Sequence, residues 1–152
     1  MYNGLLVLHS ILRWVILILL LLVIIRSIIN NTEDFKDANR KWCLRLLIVT
    51  HINLLIGLYQ YFFGDKGYAL IKEYGMKDVM KTAALRFWAI EHITSMILAV
   101  ILITVANSVA KKSIGAAKRN RTLAILYILA LIIILAAVPW PFRGEGIGRP
   151  WF

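Results

Sequence analysis

The sequence predicts an all-α fold, a four-transmembrane-helix bundle with short loops, forming a single integral membrane domain over residues 1–152. Three observations predict it. The chain is 61% hydrophobic with a mean hydropathy of +0.75, whereas soluble domains are about half apolar. The apolar residues gather into four runs, each of a length suited to a hydrocarbon core roughly 30 Å thick. Most of the 18 Lys and Arg residues fall between those runs, as expected of segments that meet water and anionic headgroups.

Segment one runs from Leu5 to Ile29 and reads LLVLHSILRWVILILLLLVIIRSII. At about 1.5 Å per residue it exceeds the hydrocarbon thickness, which predicts tilt. It has no basic stretch before it, carries Arg13 inside it and lacks a small-residue cleavage motif after it, so a retained helix is expected instead of a signal peptide. Segment two spans Trp42 to Phe63, segment three Leu85 to Ser108, and segment four Thr122 to Val138. The fourth has almost no polar groups, so it is expected to contact lipid or fill a wall and to carry no chemistry. Pro139 and Pro141 end it. The tail 139–152 mixes Trp140, Phe142, Trp151 and Phe152 with Arg143 and Arg149, a composition that suits the membrane interface.

The connections set the orientation. The first, Asn30 to Lys41, has mixed charge. The second, 64–84, places Tyr68, Ile71, Tyr74 and Val79 at loosely helical spacing, which predicts a short interfacial helix. The third, Val109 to Arg121, holds Lys111, Lys112, Lys118, Arg119 and Arg121 without an acid and is the expected cytoplasmic loop. Four spans then put both termini on the opposite side. The net charge of +10 is accounted for by these loops, so no nucleic-acid partner is expected. The single cysteine, Cys43, excludes an internal disulfide, a CxxC motif and covalent CxxCH haem attachment.

Three histidines, His9, His51 and His92, fall one on each of the first three segments. Ionisable side chains at membrane depth are costly and mark sites, pathways or ion pairs. Measured from the outer helix ends, His9 lies about one turn in, His92 about two turns in, and His51 near the middle. All three are therefore candidates to line one outer cavity. His9 and Arg13 share a face with Tyr2 and Ile16, and His92 shares one with Trp88, Ser95, Met96 and Ala99. Glu91 sits about 100° round the helix from His92, at a depth that suggests an Arg13–Glu91 ion pair. On segment two, Thr50, Asn53, Gly57 and Gln60 form a polar stripe suited to a helix-packing seam. His51 points nearly opposite, among Leu44, Leu47, Leu55 and Leu58.

The strings LHSILRW (Leu8 to Trp14), THINLLIGL (Thr50 to Leu58), LRFWAIEH (Leu85 to His92) and PWPFR (Pro139 to Arg143) resemble a family of small four-helix membrane proteins. Its members come from Bacteroidetes-type bacteria and commonly carry the label "cytochrome B". The resemblance covers essentially the whole chain. It implies an integral protein of the bacterial cytoplasmic (inner) membrane with a b-type haem held by His9, His51 or His92; in that membrane the basic third connection puts both termini on the periplasmic side. The two histidines on one helix found in larger dihaem cytochromes b are missing.

A b-type haem takes two imidazoles from facing helices, with cationic groups near its propionates. His9 and His92 are the preferred axial pair, His51 the alternative, and Arg13 or Arg86 the candidate propionate partners. The expected activity is single-electron transfer linked to quinone or to a larger respiratory complex, with a homo-oligomer as a further partner. A bare metal site of His9, His51, His92 and Glu91 is a second option, and the polar cavity equally suits a quinone headgroup or a proton path. The competing class is a cofactor-free accessory or assembly subunit whose polar core fixes helix packing, or a small transport protein. Hydrolysis has no support: Ser10 beside His9 points elsewhere on the helix, and no nucleophile elbow or HExxH string occurs.

Overall fold

In a computed structural model describing residues 2–29, 36–112, 114–144 and 146–151, every regular element is helical. The connection over 30–35, Phe152 and the side chain of Tyr2 lie outside the described residues. In chain order the elements are α1 (Tyr2–Ile29), α2 (Lys36–Phe63), α3 (Tyr68–Lys81), α4 (Ala83–Arg86), a π-helical turn (Phe87–Glu91), α5 (His92–Ala110) and α6 (Ala116–Ala137). α4, the π turn and α5 run on as one span, Ala83–Ala110. With Asn3–Ile29, Asn39–Phe63 and Ala116–Ala137 this makes four helices long and apolar enough to cross a bilayer. The chain is a multi-pass membrane protein.

α2 and α6 begin at Lys36 and Ala116, upstream of the predicted Trp42 and Thr122. Hydrophobicity marks only the part of a helix inside hydrocarbon. The hydrogen-bonded ladder continues through the charged residues that reach the headgroups. The expected interfacial helix is α3, broken at Gly75, whose φ of 74° and ψ of 154° are non-helical. Val79 on it is fully buried, while Tyr68 and Tyr74 stay exposed.

Each span packs against its neighbours in sequence, and α6 closes the ring against α1. Contacts fix the direction of every span. Gln60 near the end of α2 donates to the Leu5 carbonyl near the start of α1 (2.9 Å). Tyr61 donates to the Ala89 carbonyl (3.0 Å), and at the other end Arg26 Nε donates to Asn39 Oδ1 (2.9 Å). The bundle is therefore up-down-up-down. Leu20, Leu46, Ile103 and Tyr127 fill its centre, and buried Ala99, Ala106 and Ala130 let backbones approach, which matters where lipid is as apolar as the core. Ile18, Leu55, Ile101 and Ile132 face outward as an exposed apolar belt.

Segment four fills a wall. It is the most enclosed span, 39% buried against 22–28% for the others. Its early part also carries polar groups inward: Arg119 and Asn120 are each 2% exposed. They join buried Asn107 and the Arg26–Asn39 pair at the end opposite the chain termini. Polar contacts of this kind tie helices together in a medium that offers no water.

Candidate functional site

The other end of the bundle, where α1 starts and α2 and α6 finish, holds a partly open cavity of about 150 Å³. Leu54, Ile93, Met96, Val100 and Ile134 make its walls apolar. α1 contributes His9, Ser10 and Arg13; α2 contributes Thr50, Asn53, Gly57 and Gln60; the third span contributes Trp88 and His92. The polar stripe of α2, whose spacing suits a packing seam, thus faces this space.

His92 follows directly on the π turn. Its backbone N–H donates to the Phe87 carbonyl, five residues back, so the local helix is widened and the ring is re-aimed relative to an ideal α-helix. The ring lies beside Phe87 and Trp88, with centroid separations of 5.8 and 6.0 Å. Nδ1 lies 2.8 Å from the Ala137 carbonyl at the end of α6. A carbonyl only accepts, so Nδ1 carries the proton and Nε2 keeps a lone pair. This is the arrangement by which proteins orient an imidazole toward a metal.

His9 approaches from α1. Its ring packs onto Gly57 of α2, where a side-chain carbon would come within 3.1 Å of Cε1 and 3.7 Å of Nδ1. Gly57 is therefore the space that the imidazole occupies. Nδ1 of His9 and Oδ1 of Asn53 are both buried and lack a partner in hydrogen-bonding geometry. Two such atoms facing one cavity point to a polar group that completes them, since buried polar atoms are normally paired.

The mouth is cationic. Arg13, Lys66 and Arg149 line it, and no Asp or Glu does so among the described residues. Lys66 comes from the turn after α2, which needs Gly67: its φ is 82°, and a side chain there would meet the Tyr61 ring at 2.5 Å. Arg149 comes from the tail, which folds back over the bundle. The Arg149 N–H donates to the Pro139 carbonyl (3.1 Å), Trp88 Nε1 donates to the Gly146 carbonyl (2.7 Å), and Arg13 donates to the Trp151 carbonyl (2.9 Å). Trp14, Trp140 and Trp151 close the corner, with ring centroids 5.8–6.0 Å apart. Arg143 also donates to the Ala136 carbonyl. The tail is a cap docked on this end of the bundle.

Of the residues singled out in the sequence, His9, His92 and Arg13 line one cavity; His51, Arg86 and Glu91 do not join them. His51 is exposed, with Nδ1 2.9 Å from the Leu47 carbonyl of its own helix. Its opposition to the polar stripe, visible in the helical phase, takes it to the outside. The expected Arg13–Glu91 pair is replaced by Arg86–Glu91 at 2.6 Å, because residues five apart face each other across a π turn. Arg86 also donates to the Met80 carbonyl (3.0 Å) and does not line the cavity. Among the described residues no three His, Cys, Asp or Glu side chains are placed to hold a metal ion, so the four-residue metal set is not assembled. Sequence reasoning misses Lys66, Arg149 and the Ala137 carbonyl. The first two sit in connecting segments without periodicity, and a main-chain acceptor leaves no mark on sequence.

The donor set and charge fit a b-type haem: two imidazoles from facing helices, apolar walls and a cationic mouth. The cavity is open at its mouth, and its volume is that of a site for a benzene-sized ring, smaller than a porphyrin. Comparison with family models, with curated proteins and with solved structures gives no match.

Proposed function

We propose that this chain is a b-type haem protein of a bacterial cytoplasmic (inner) membrane, passing single electrons to or from quinone or a larger respiratory complex. The observation that carries the reading is the pair His9 and His92 on one cavity, with His92 Nδ1 tied to Ala137, so that Nε2 would be the nitrogen to hold the iron. When bound, haem supplies a one-electron iron couple. The chain's own residues supply the setting. Ala137 fixes the tautomer and rotation of His92, Gly57 admits the His9 ring, and Met96, Val100 and Ile134 exclude water. The Lys- and Arg-rich 111–121 end fits the cytoplasmic side, which turns the cavity and both termini to the periplasm.

The test is an absorption spectrum of detergent-purified protein, oxidised and then dithionite-reduced, with pyridine haemochrome quantification. A sharp reduced α-band at close to one haem per chain is the expected result. A flat spectrum after expression with ample haem refutes the reading. The cavity volume favours one second reading: a single-ring quinone headgroup held in its reduced form, whose hydroxyls would donate to Asn53 Oδ1 and His9 Nδ1, both buried and unpartnered. Quinone in the organic extract of a haem-free preparation would establish it. A preparation with neither leaves the accessory-subunit class.

A further inference from the structure

The cationic mouth is the part of the molecule that the axial pair does not explain. Three half-buried cations, Arg13, Lys66 and Arg149, surround an apolar cavity with no carboxylate among the described lining residues. Two of them converge on one indole: Lys66 Nζ lies 4.2 Å and the Arg149 guanidinium 5.0 Å from the centroid of the Trp88 ring. Arg13 Nε is buried without a partner even though its Nη2 is engaged by the tail. Burial and, after it, the charge of Arg149 hold the Lys66 ammonium below its ordinary range. Like charges gathered at the edge of a low-dielectric space repel each other and call for an anion.

We propose that Arg13, Lys66 and Arg149 form a carboxylate-binding rim that orients an apolar, planar ligand with its acid groups toward the tail. The proposal rests on the haem reading, in which those acids are the propionates. It replaces Arg86 with two residues outside the spans. The ring enters between His9 and His92, while the carboxylates stay at the mouth and accept charge-assisted hydrogen bonds from the rim. A phosphate of a lipid headgroup offers similar chemistry without a ring for the histidines to hold.

The experiment compares haem b with haem b dimethyl ester, which keeps the macrocycle and lacks the acids. Binding is followed by Soret titration of the full chain in phosphatidylcholine nanodiscs, for wild type and for the Lys66→Gln/Arg149→Gln double variant. Wild type is expected to prefer the free acid by about tenfold or more, the worth of one or two charged hydrogen bonds. The double variant is expected to lose most of that preference while binding the diester as wild type does. Equal binding of acid and diester by wild type overturns the rim and leaves the haem reading intact. An undiminished preference in the double variant also overturns it. If neither porphyrin binds, the haem reading and the rim fall together. If the acid preference seen in phosphatidylcholine discs is lost in discs of phosphatidylglycerol, an anionic lipid headgroup is the natural occupant and the rim's assignment to the cofactor is overturned.

Discussion

Gly57→Ala separates the fold from the site. A methyl group at Gly57 comes within 3.1 Å of His9 Cε1, closer than ordinary van der Waals contact, so the imidazole has to retreat by a few tenths of an ångström. Overpacking of this sort costs about 1–3 kcal/mol. Against it stands the gain from replacing glycine in a helix interior, about 1 kcal/mol. The two nearly cancel, so the melting temperature in detergent should move by only a few degrees in either direction. Ligand geometry is less forgiving, since a binding group must be held within about 0.5 Å. Haem affinity in Gly57→Ala should therefore fall by about tenfold, a loss of about 1.4 kcal/mol. In Gly57→Val the ring has no place beside α2, and axial coordination by His9 should be lost, with a low-spin to high-spin change in the spectrum. The assays are Soret titration for binding and circular-dichroism melting for the fold. Unchanged affinity and spectrum in both variants, with both folded, would refute the reasoning that His9 reaches the cofactor across Gly57.

Other outcomes follow from the same geometry. His51→Ala removes an exposed ring bonded only to its own helix, so haem content should stay at the wild-type level and stability should change by less than about 0.5 kcal/mol; loss of haem would return His51 to the ligand set. Arg86→Ala breaks an ion pair whose side chains are 36% and 46% exposed, a geometry worth under about 1 kcal/mol. Equilibrium unfolding should show a small loss with cofactor binding unaffected, whereas a tenfold fall in affinity would put Arg86 back at the propionates. Single cysteines at Asn3 and Lys112 in a Cys43→Ala background should react oppositely with an impermeant maleimide on intact cells. Asn3→Cys should label from outside and Lys112→Cys only after lysis; the reverse pattern would turn the cavity to the cytoplasm.

How much of this was legible in the sequence depends on which residues carried a periodic signal. Hydrophobic runs mark the depth at which water is excluded, so four spans and their order could be read directly, together with the short helix before Ala83. Helical phase was nearly as informative on α1, where His9 and Arg13 share the cavity face. On α2 it gave the right separation, His51 from Thr50, Asn53, Gly57 and Gln60, but burial alone decides which of two faces meets neighbours. The third span defeats phase counting because the π turn at Phe87–Glu91 inserts a register change just before His92. That change brings Glu91 onto Arg86 at 2.6 Å and frees Arg13 for the Trp151 carbonyl. The same step sets His92 within 2.8 Å of Ala137 on a helix whose side chains offered no chemistry. The site is thus assembled from a register shift, a backbone carbonyl, a missing side chain at Gly57 and a folded-back tail. Each depends on tertiary contact, which explains why the bundle could be read from the sequence while the Arg86–Glu91 ion pair and the partners of His92 and Arg13 could not.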